Sequence, residues 1–355
     1  MGNMINKRLV NIKKVMLTVV IATFLTGCSI GKSGENLDRA YDSIKNLEYQ
    51  EALDILGEAS AAGEDERLIL RASGIANMGL SKYQDAISCF ERSLSLSNGI
   101  LSRMDYDVNY YLAAAYSKSG NDDEAIDIYN TILSIKPNEV EALYLKGVLC
   151  SRRSQLEEAK ACFEKAISLE PDNYDMLIKI YVIFADTGYK DVGQEYLKSA
   201  MEKGTKKMSN YEKGQISYYL EDYESARTYL EKAKDEEGYH AILLLGKTYE
   251  TLGDINYAIS VYSSYSNSSD SSPEILNELG MCKMNMGDYE GALSAFKQGL
   301  NLPNNTIVQI LKFNEIVAYE YLGDFSEARN LLEAYIKAYP DDSQAKREYS
   351  FLKTR

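Results

Sequence analysis

From about residue 36 onward, apolar positions fall at helical spacing and are broken at regular intervals by short polar turns. Three of these turns read Gly-Asp followed by a helix start, at residues 253–258, 287–292 and 323–328. Glycine accepts the positive φ of a helix C-terminus, and aspartate suits the N-terminus of the next helix. Each segment ends on a small residue, and that residue marks a register along the chain. The markers are Ala52, Ala86, Ala125, Ala159, Gly193, Ala226, Ala258, Ala292 and Ala328, spaced by 34, 39, 34, 34, 33, 32, 34 and 36 residues. A bulky residue recurs four positions after the marker, as Phe90, Tyr129, Phe163, Leu197, Leu230, Tyr262, Phe296 and Leu332. A small residue recurs twelve before it, as Gly74, Ala113, Gly147, Gly214, Gly246 and Gly280. Proline recurs twelve after it, as Pro137, Pro171 and Pro340, with Pro303 one residue early. The pattern predicts helix-turn-helix hairpins, which cannot bury their apolar faces singly and must stack.

A period near 34 with these positions resembles the tetratricopeptide repeat (TPR) family. The resemblance covers about 305 of the 328 residues after residue 27, as nine repeats. It implies an all-α fold, an α-solenoid of about nine repeats coiled into a right-handed superhelix. The array is expected over 36–340, with a capping helix over 341–355, because terminal repeats need a polar outer face. The chain departs from the family in having no Trp, in carrying Gly193 where the other repeats have Ala, and in a weak first helix. The 39-residue spacing implies an insertion near Ser97–Tyr106.

The N-terminus has a different pattern. Lys7, Arg8, Lys13 and Lys14 precede an uncharged stretch from Val15 to Leu25, too short to span a bilayer and typical of a signal peptide. It ends in Leu25-Thr26-Gly27-Cys28, which resembles the lipobox of bacterial lipoproteins. That resemblance implies a signal peptide over 1–27, lipidation of the Cys28 thiol, and a short tether over 28–35. Two or three acyl chains would anchor the chain to a membrane stably. Myristoylation at Gly2 is disfavoured by Asn6, and the Gly27–Ser33 stretch is one residue short of a phosphate-binding loop, with no strand before it.

Composition narrows the partners. The net charge is −14, and the first 27 residues hold four basic side chains and no acid, so the remainder carries −18. Such a body disfavours nucleic acid, whose binding rests on neutralising phosphates. It leaves room for a basic or zwitterionic partner.

No residues assemble a catalytic or metal pattern. His240 is the single histidine and lies at a helix start. No His/Cys cluster has metal spacing, and no cofactor is implied. Cys89, Cys150, Cys162 and Cys282 are expected as buried small apolar residues. Acid pairs such as Asp122-Asp123 and Glu157-Glu158 suit helix dipoles.

The resemblance also implies that the first helix of each repeat lines the binding face. In this register Arg71, Met78, Tyr110, Tyr144, Arg152, Tyr211, Tyr218, Tyr219, Met281 and Tyr321 are the groove candidates. Tyrosine joins a broad apolar face to a polar tip, and a tyrosine-lined groove suits an extended peptide or a helix. Stacking of a glycan is a second use of the same residues. The subclass of the family that clamps C-terminal carboxylates has no counterpart here, because Tyr110, Ala114, Tyr144 and Val148 stand at its places. The expectation is binding without catalysis: a membrane-anchored scaffold for proteins or peptides on the extracytoplasmic side. The alternative is an accessory factor for export or assembly of envelope protein or cell-surface polysaccharide.

Overall fold

The computed structural model describes residues 34–97, 102–204, 207–235, 238–266, 271–303 and 305–354. The expected signal peptide and the expected lipidation residue Cys28 lie outside the described residues. All nineteen regular elements among the described residues are helices. They run α1 (Glu35–Lys45), α2 (Tyr49–Ala61), α3 (Glu66–Gly79), α4 (Tyr83–Ser95), α5 (Arg103–Lys118), α6 (Asp122–Ile135), α7 (Val140–Arg152), α8 (Leu156–Leu169), α9 (Tyr174–Asp186), α10 (Lys190–Gly204), α11 (Asn210–Tyr219), α12 (Tyr223–Ala233), α13 (Gly238–Leu252), α14 (Ile255–Ser266), α15 (Pro273–Met286), α16 (Tyr289–Leu300), α17 (Val308–Leu322), α18 (Phe325–Ala338) and α19 (Ser343–Leu352). Successive helices pack as hairpins, α1 with α2 through α17 with α18, and α19 packs on the last. The helices gather into two compact units, residues 34–196 and 197–354, with the division inside α10.

Each hairpin turns in the same way. The residue five before the marker has a positive φ in all nine described hairpins: Leu47, Ser81, Gly120, Ser154, Gly188, Glu221, Gly253, Gly287 and Gly323, with φ between 59° and 88°. The next residue's N–H reaches back five residues to a carbonyl of the first helix, as in Glu48 to Ser43 (2.8 Å), Gln155 to Cys150 (2.8 Å) and Asp324 to Tyr319 (3.0 Å). This is a Schellman closure, which satisfies carbonyls the helix end would otherwise leave open. Glycine takes the left-handed conformation freely. Leu47, Ser81, Ser154 and Glu221 take it at a cost of about 1–2 kcal/mol each.

The two recurrent side-chain positions meet inside each hairpin. A methyl group built on Gly74 would lie 2.3 Å from the Phe90 ring, on Gly147 2.6 Å from Phe163, on Gly246 2.2 Å from Tyr262, and on Gly280 2.3 Å from Phe296. Glycine on the first helix therefore opens the space that a fully buried ring of the second helix fills. The fifth hairpin reverses the sizes. Tyr181 stands where seven of the other hairpins have Gly or Ala and the last has Ile316, and Gly193 replaces the marker Ala. A methyl on Gly193 would come 3.0 Å from the Tyr181 Cα, so the departure from the pattern is a compensated one.

Neighbouring hairpins are joined by a second repeated contact. The residue three after the small position donates to, or accepts from, the residue five after the preceding marker. Tyr116 donates to Glu91 at 2.5 Å, Tyr249 to Glu231 at 2.8 Å, and Lys297 donates to Tyr319 at 2.6 Å. On the terminal helix Tyr349 repeats it with Glu333 at 2.9 Å. These links are partly exposed, so each is worth about 1 kcal/mol or less, and the apolar core between hairpins carries most of the stacking.

Candidate binding surface

The first helices carry the residues singled out from the sequence. Arg71, Tyr110 and Tyr144 occupy one register position on α3, α5 and α7 of the first unit. Arg71 is held by its own protein. It donates to the Tyr41 hydroxyl at 3.0 Å, pairs with Asp107 at 2.5 Å, and lies over the Tyr41 and Tyr111 rings at 5.7 and 5.6 Å. It ties α1, α3 and α5 together. Tyr110 packs at 6.0 Å on the Tyr129 ring and Tyr144 at 6.0 Å on Phe163, and both are half-buried. Burial, with the Asp175 charge added, pushes the Tyr144 phenol up to about 12. Burial raises the Tyr110 phenol as well, so both stay neutral donors at physiological pH. Arg152, more exposed, donates to Ser117 Oγ at 2.6 Å and pairs with Asp122 at 3.3 Å.

In the second unit the aromatic residues cluster on α11 and α13. Tyr218 meets Tyr219 edge-on at 5.6 Å and Tyr223 at 5.6 Å. Tyr211 lies 6.4 Å from the exposed His240 ring, which also contacts Tyr239 at 4.0 Å. Burial first, then the neighbouring Tyr223, raises the Tyr218 phenol to about 12. Tyr321, further along, packs at 5.1 Å on Tyr289.

Met78 and Met281 do not line an open surface. They are 6% and 7% exposed and belong to the core. Asn314 on α17 reaches the Met281 sulfur at 3.8 Å, so the next hairpin covers it. An unbranched thioether folds readily into such gaps. The cysteine expectation needs a similar correction at one place. Cys150, Cys162 and Cys282 are buried free thiols, whereas Cys89 is only half-buried.

The first helices of the second unit also bury a polar set that the sequence reading passed over. Glu278, Glu315 and Glu320 are under 10% exposed, and Asn314 donates to Asn277 at 2.8 Å. Lys247 approaches Glu278 at 3.4 Å, and Lys297 approaches Glu315 at 3.9 Å. Tyr262 donates to Glu250 at 2.7 Å. Burial, reinforced by the charge of Glu278, raises the Glu250 carboxyl. Glu250 and Glu320 share the register position of Met78 and Tyr218, so the signal was present in the spacing. Among the described residues no three of His, Cys, Asp and Glu gather as a metal site, and no helix is long and apolar enough to cross a membrane.

Comparison with known proteins agrees with this architecture. Models described as tetratricopeptide repeat match residues 78–149, 140–173, 209–236, 273–306 and 313–350, together more than half of the chain. The chain is 22% identical over 219 residues to BBSome complex member BBS4 of Bos taurus, a match covering 62% of this chain and 35% of that protein. It is 27% identical over 116 residues to photosystem I assembly protein Ycf3 of Acaryochloris marina, covering 29% of this chain and 69% of that one. The chain thus spans about a third of BBS4. Among solved structures, yeast Tom70 superposes with a TM-score of 0.51 at 16% identity, over 90% of this chain and 87% of that one. The recurrent turn, the small-to-bulky lock and these matches lead to one assignment: the chain belongs to the tetratricopeptide repeat family.

Proposed function

We propose that the chain is an interaction scaffold that works without catalysis, held at the extracytoplasmic side of a membrane by lipid on Cys28. Its first-helix faces would grip a protein or peptide. The observation that supports the reading best is the shared register of Arg71, Tyr110 and Tyr144, with Tyr211, Tyr218 and Tyr219 on the first helix of the sixth hairpin. Half-buried tyrosines offer rigid apolar area with a polar tip, at little entropic cost on binding. Arg71 and Arg152 would act mainly by ordering their neighbours, since internal acids already hold them. The test is site-specific photo-crosslinking from Tyr144 and Tyr219 in the native membrane. A single dominant adduct shared by both positions is the expected outcome, and the absence of any specific adduct sinks the scaffold reading. The anchor is tested separately. Cys28→Ala is expected to move the protein out of the membrane fraction, and an unchanged distribution would refute the lipid anchor.

A second reading draws support from relatives named as an assembly protein and a complex member. In it, the chain assists export or assembly of envelope protein or cell-surface polysaccharide. Loss of the chain would then leave a partly assembled envelope complex or shortened surface glycan. Normal amounts of both in a deletion strain count against it.

A further inference from the structure

One cleft of the second unit lies away from the groove residues and is built unlike its counterparts in the other hairpins. It opens between the second helix of the sixth hairpin, α12, and the helices of the seventh, α13 and α14, with a volume of about 660 Å³. That lies in the range of roughly 300–1,000 Å³ usual for small-ligand sites. Its wall includes Tyr257, the residue just before the marker. At that position the other hairpins carry Glu51, Asp85, Glu124, Glu158, Val192, Ser225, Gly291 and Glu327. Tyr257 is the one aromatic in the series and is 64% exposed, so the core has no need of it. Its ring stacks on Tyr249 at 5.4 Å with 18° between the planes. The Tyr249 hydroxyl is in turn held by Glu231 at 2.8 Å. This backing leaves Tyr257 as a supported platform with an exposed surface.

The same cleft holds a second departure. Tyr265, seven after the marker, stands where six other hairpins have a small residue, Ala59, Ser93, Ala166, Ala200, Ala233 and Gly299; Ile132 and Tyr335 are the other bulky residues in the series. A methyl group on Gly238 would lie 3.3 Å from its hydroxyl, so glycine is what lets that hydroxyl sit against the start of α13.

The polar groups around the platform select the ligand's charge. Glu231 and Asp235 disfavour an anion, and Lys234, paired with Glu231 at 2.8 Å, offsets one of their two charges. Carboxylate acceptors, an ammonium donor and the hydroxyls of Ser260, Ser264 and Tyr265 together suit a ligand whose groups both donate and accept. An aromatic face suits the C–H face of a ring. Neutral sugars combine the two.

We infer that the Tyr257–Tyr249–Tyr265 cleft is a binding site for a neutral saccharide, one to three sugar units of a glycan. The inference does not depend on the scaffold reading, because none of these residues is a groove candidate. The probes are chitobiose, cellobiose and maltose, titrated against the full chain by saturation-transfer NMR and calorimetry. At least one should bind, with affinity indifferent to salt, as expected of an uncharged ligand. Tyr257→Ala should weaken that binding by about tenfold or more, as lost stacking implies. Tyr257→Phe should keep it. The melting curve of Tyr257→Ala should match wild type, since the side chain is exposed. Ser264→Lys, at an exposed cleft position, should also weaken binding and guards against a folding effect of the first variant. The inference is overturned if none of the three sugars binds at millimolar concentration. It is equally overturned if Tyr257→Ala and Ser264→Lys bind as wild type does.

Discussion

The two units reach one hairpin geometry by unlike sequences. In residues 34–196 the turns run Leu47-Glu48, Ser81-Lys82, Gly120-Asn121, Ser154-Gln155 and Gly188-Tyr189. Three of the five left-handed positions are not glycine, and Glu48, Lys82, Asn121 and Gln155 place no side-chain cap on the following helix. In residues 197–354 the turns run Glu221-Asp222, Gly253-Asp254, Gly287-Asp288 and Gly323-Asp324. There Asp222, Asp288 and Asp324 accept from backbone N–H groups three residues on, at 3.2, 2.9 and 3.1 Å. The backbone closure is the same in both units. Packing of the hairpin therefore dictates the turn, and favourable turn chemistry only lowers its cost.

This comparison can be broken most forcefully at the shared lock. Phe90→Ala in the first unit and Phe296→Ala in the second should each destabilise their hairpin by about 3–5 kcal/mol. Native-state hydrogen exchange of the amides of α3–α4 and α15–α16 measures this locally, as a repeat array requires. A cost that differed sharply between the two would mean that packing is not the common determinant. Next in size, Gly280→Ala should cost about 1–3 kcal/mol by forcing a methyl into the Phe296 ring. The same exchange experiment reads it, and a neutral outcome would show that the ring has room to move.

Turn chemistry comes third. Leu47→Gly and Glu221→Gly should stabilise by roughly 0.5–1 kcal/mol once the left-handed strain is relieved, after the added freedom of the unfolded chain is subtracted. Gly287→Ala should destabilise by about 1 kcal/mol. Asp324→Ala should lose about 1 kcal/mol with its cap, while Gln155→Ala should be near neutral. If Leu47→Gly destabilised, the strain account of the first unit would fail.

The smallest effect is one of pH, and it tests single carboxyls in each unit. Burial raises the Glu250 and Glu315 carboxyls in the second unit. A carboxyl raised in the folded state binds its proton more tightly there than in the unfolded chain, so its contribution is fully present at low pH and is lost as pH rises through the folded value. The second unit should gain protection as pH falls from neutral towards the usual carboxylate range, and Glu250→Gln should flatten that gain. Asp105 in the first unit works in the opposite sense. Burial would raise it, but hydrogen bonds from Ser102 and the Arg67 charge hold it below the usual carboxylate range. Its contribution disappears only as pH drops through that lowered value.

The lock was legible because its two halves recur at fixed distances: twelve before the marker and four after. The strained turns at Leu47, Ser81, Ser154 and Glu221 were not, since a reading by composition looks for glycine where tertiary packing can impose the conformation on any residue. Reading cysteine as a small buried apolar residue held for Cys150, Cys162 and Cys282 and not for Cys89. Among the groove candidates, the register put the tyrosines on the first-helix faces but could not show that Asn314 would cover Met281. The buried Glu278 and Asn277–Asn314 pairing escaped because charged and amide side chains at register positions read as solvated until a neighbour covers them.

The constancy of the hairpin has an evolutionary corollary. Wherever both are present, the small position and the marker are twelve residues apart, whereas the marker spacing varies between 32 and 39. Length variation thus falls outside that twelve-residue span, in the outer helix ends and the connections between hairpins. Insertions and deletions should survive at that one phase of the period and be purged from the tight turn. A gene of this kind can grow or shrink by unequal recombination in whole hairpins, with breakpoints tolerated only between them.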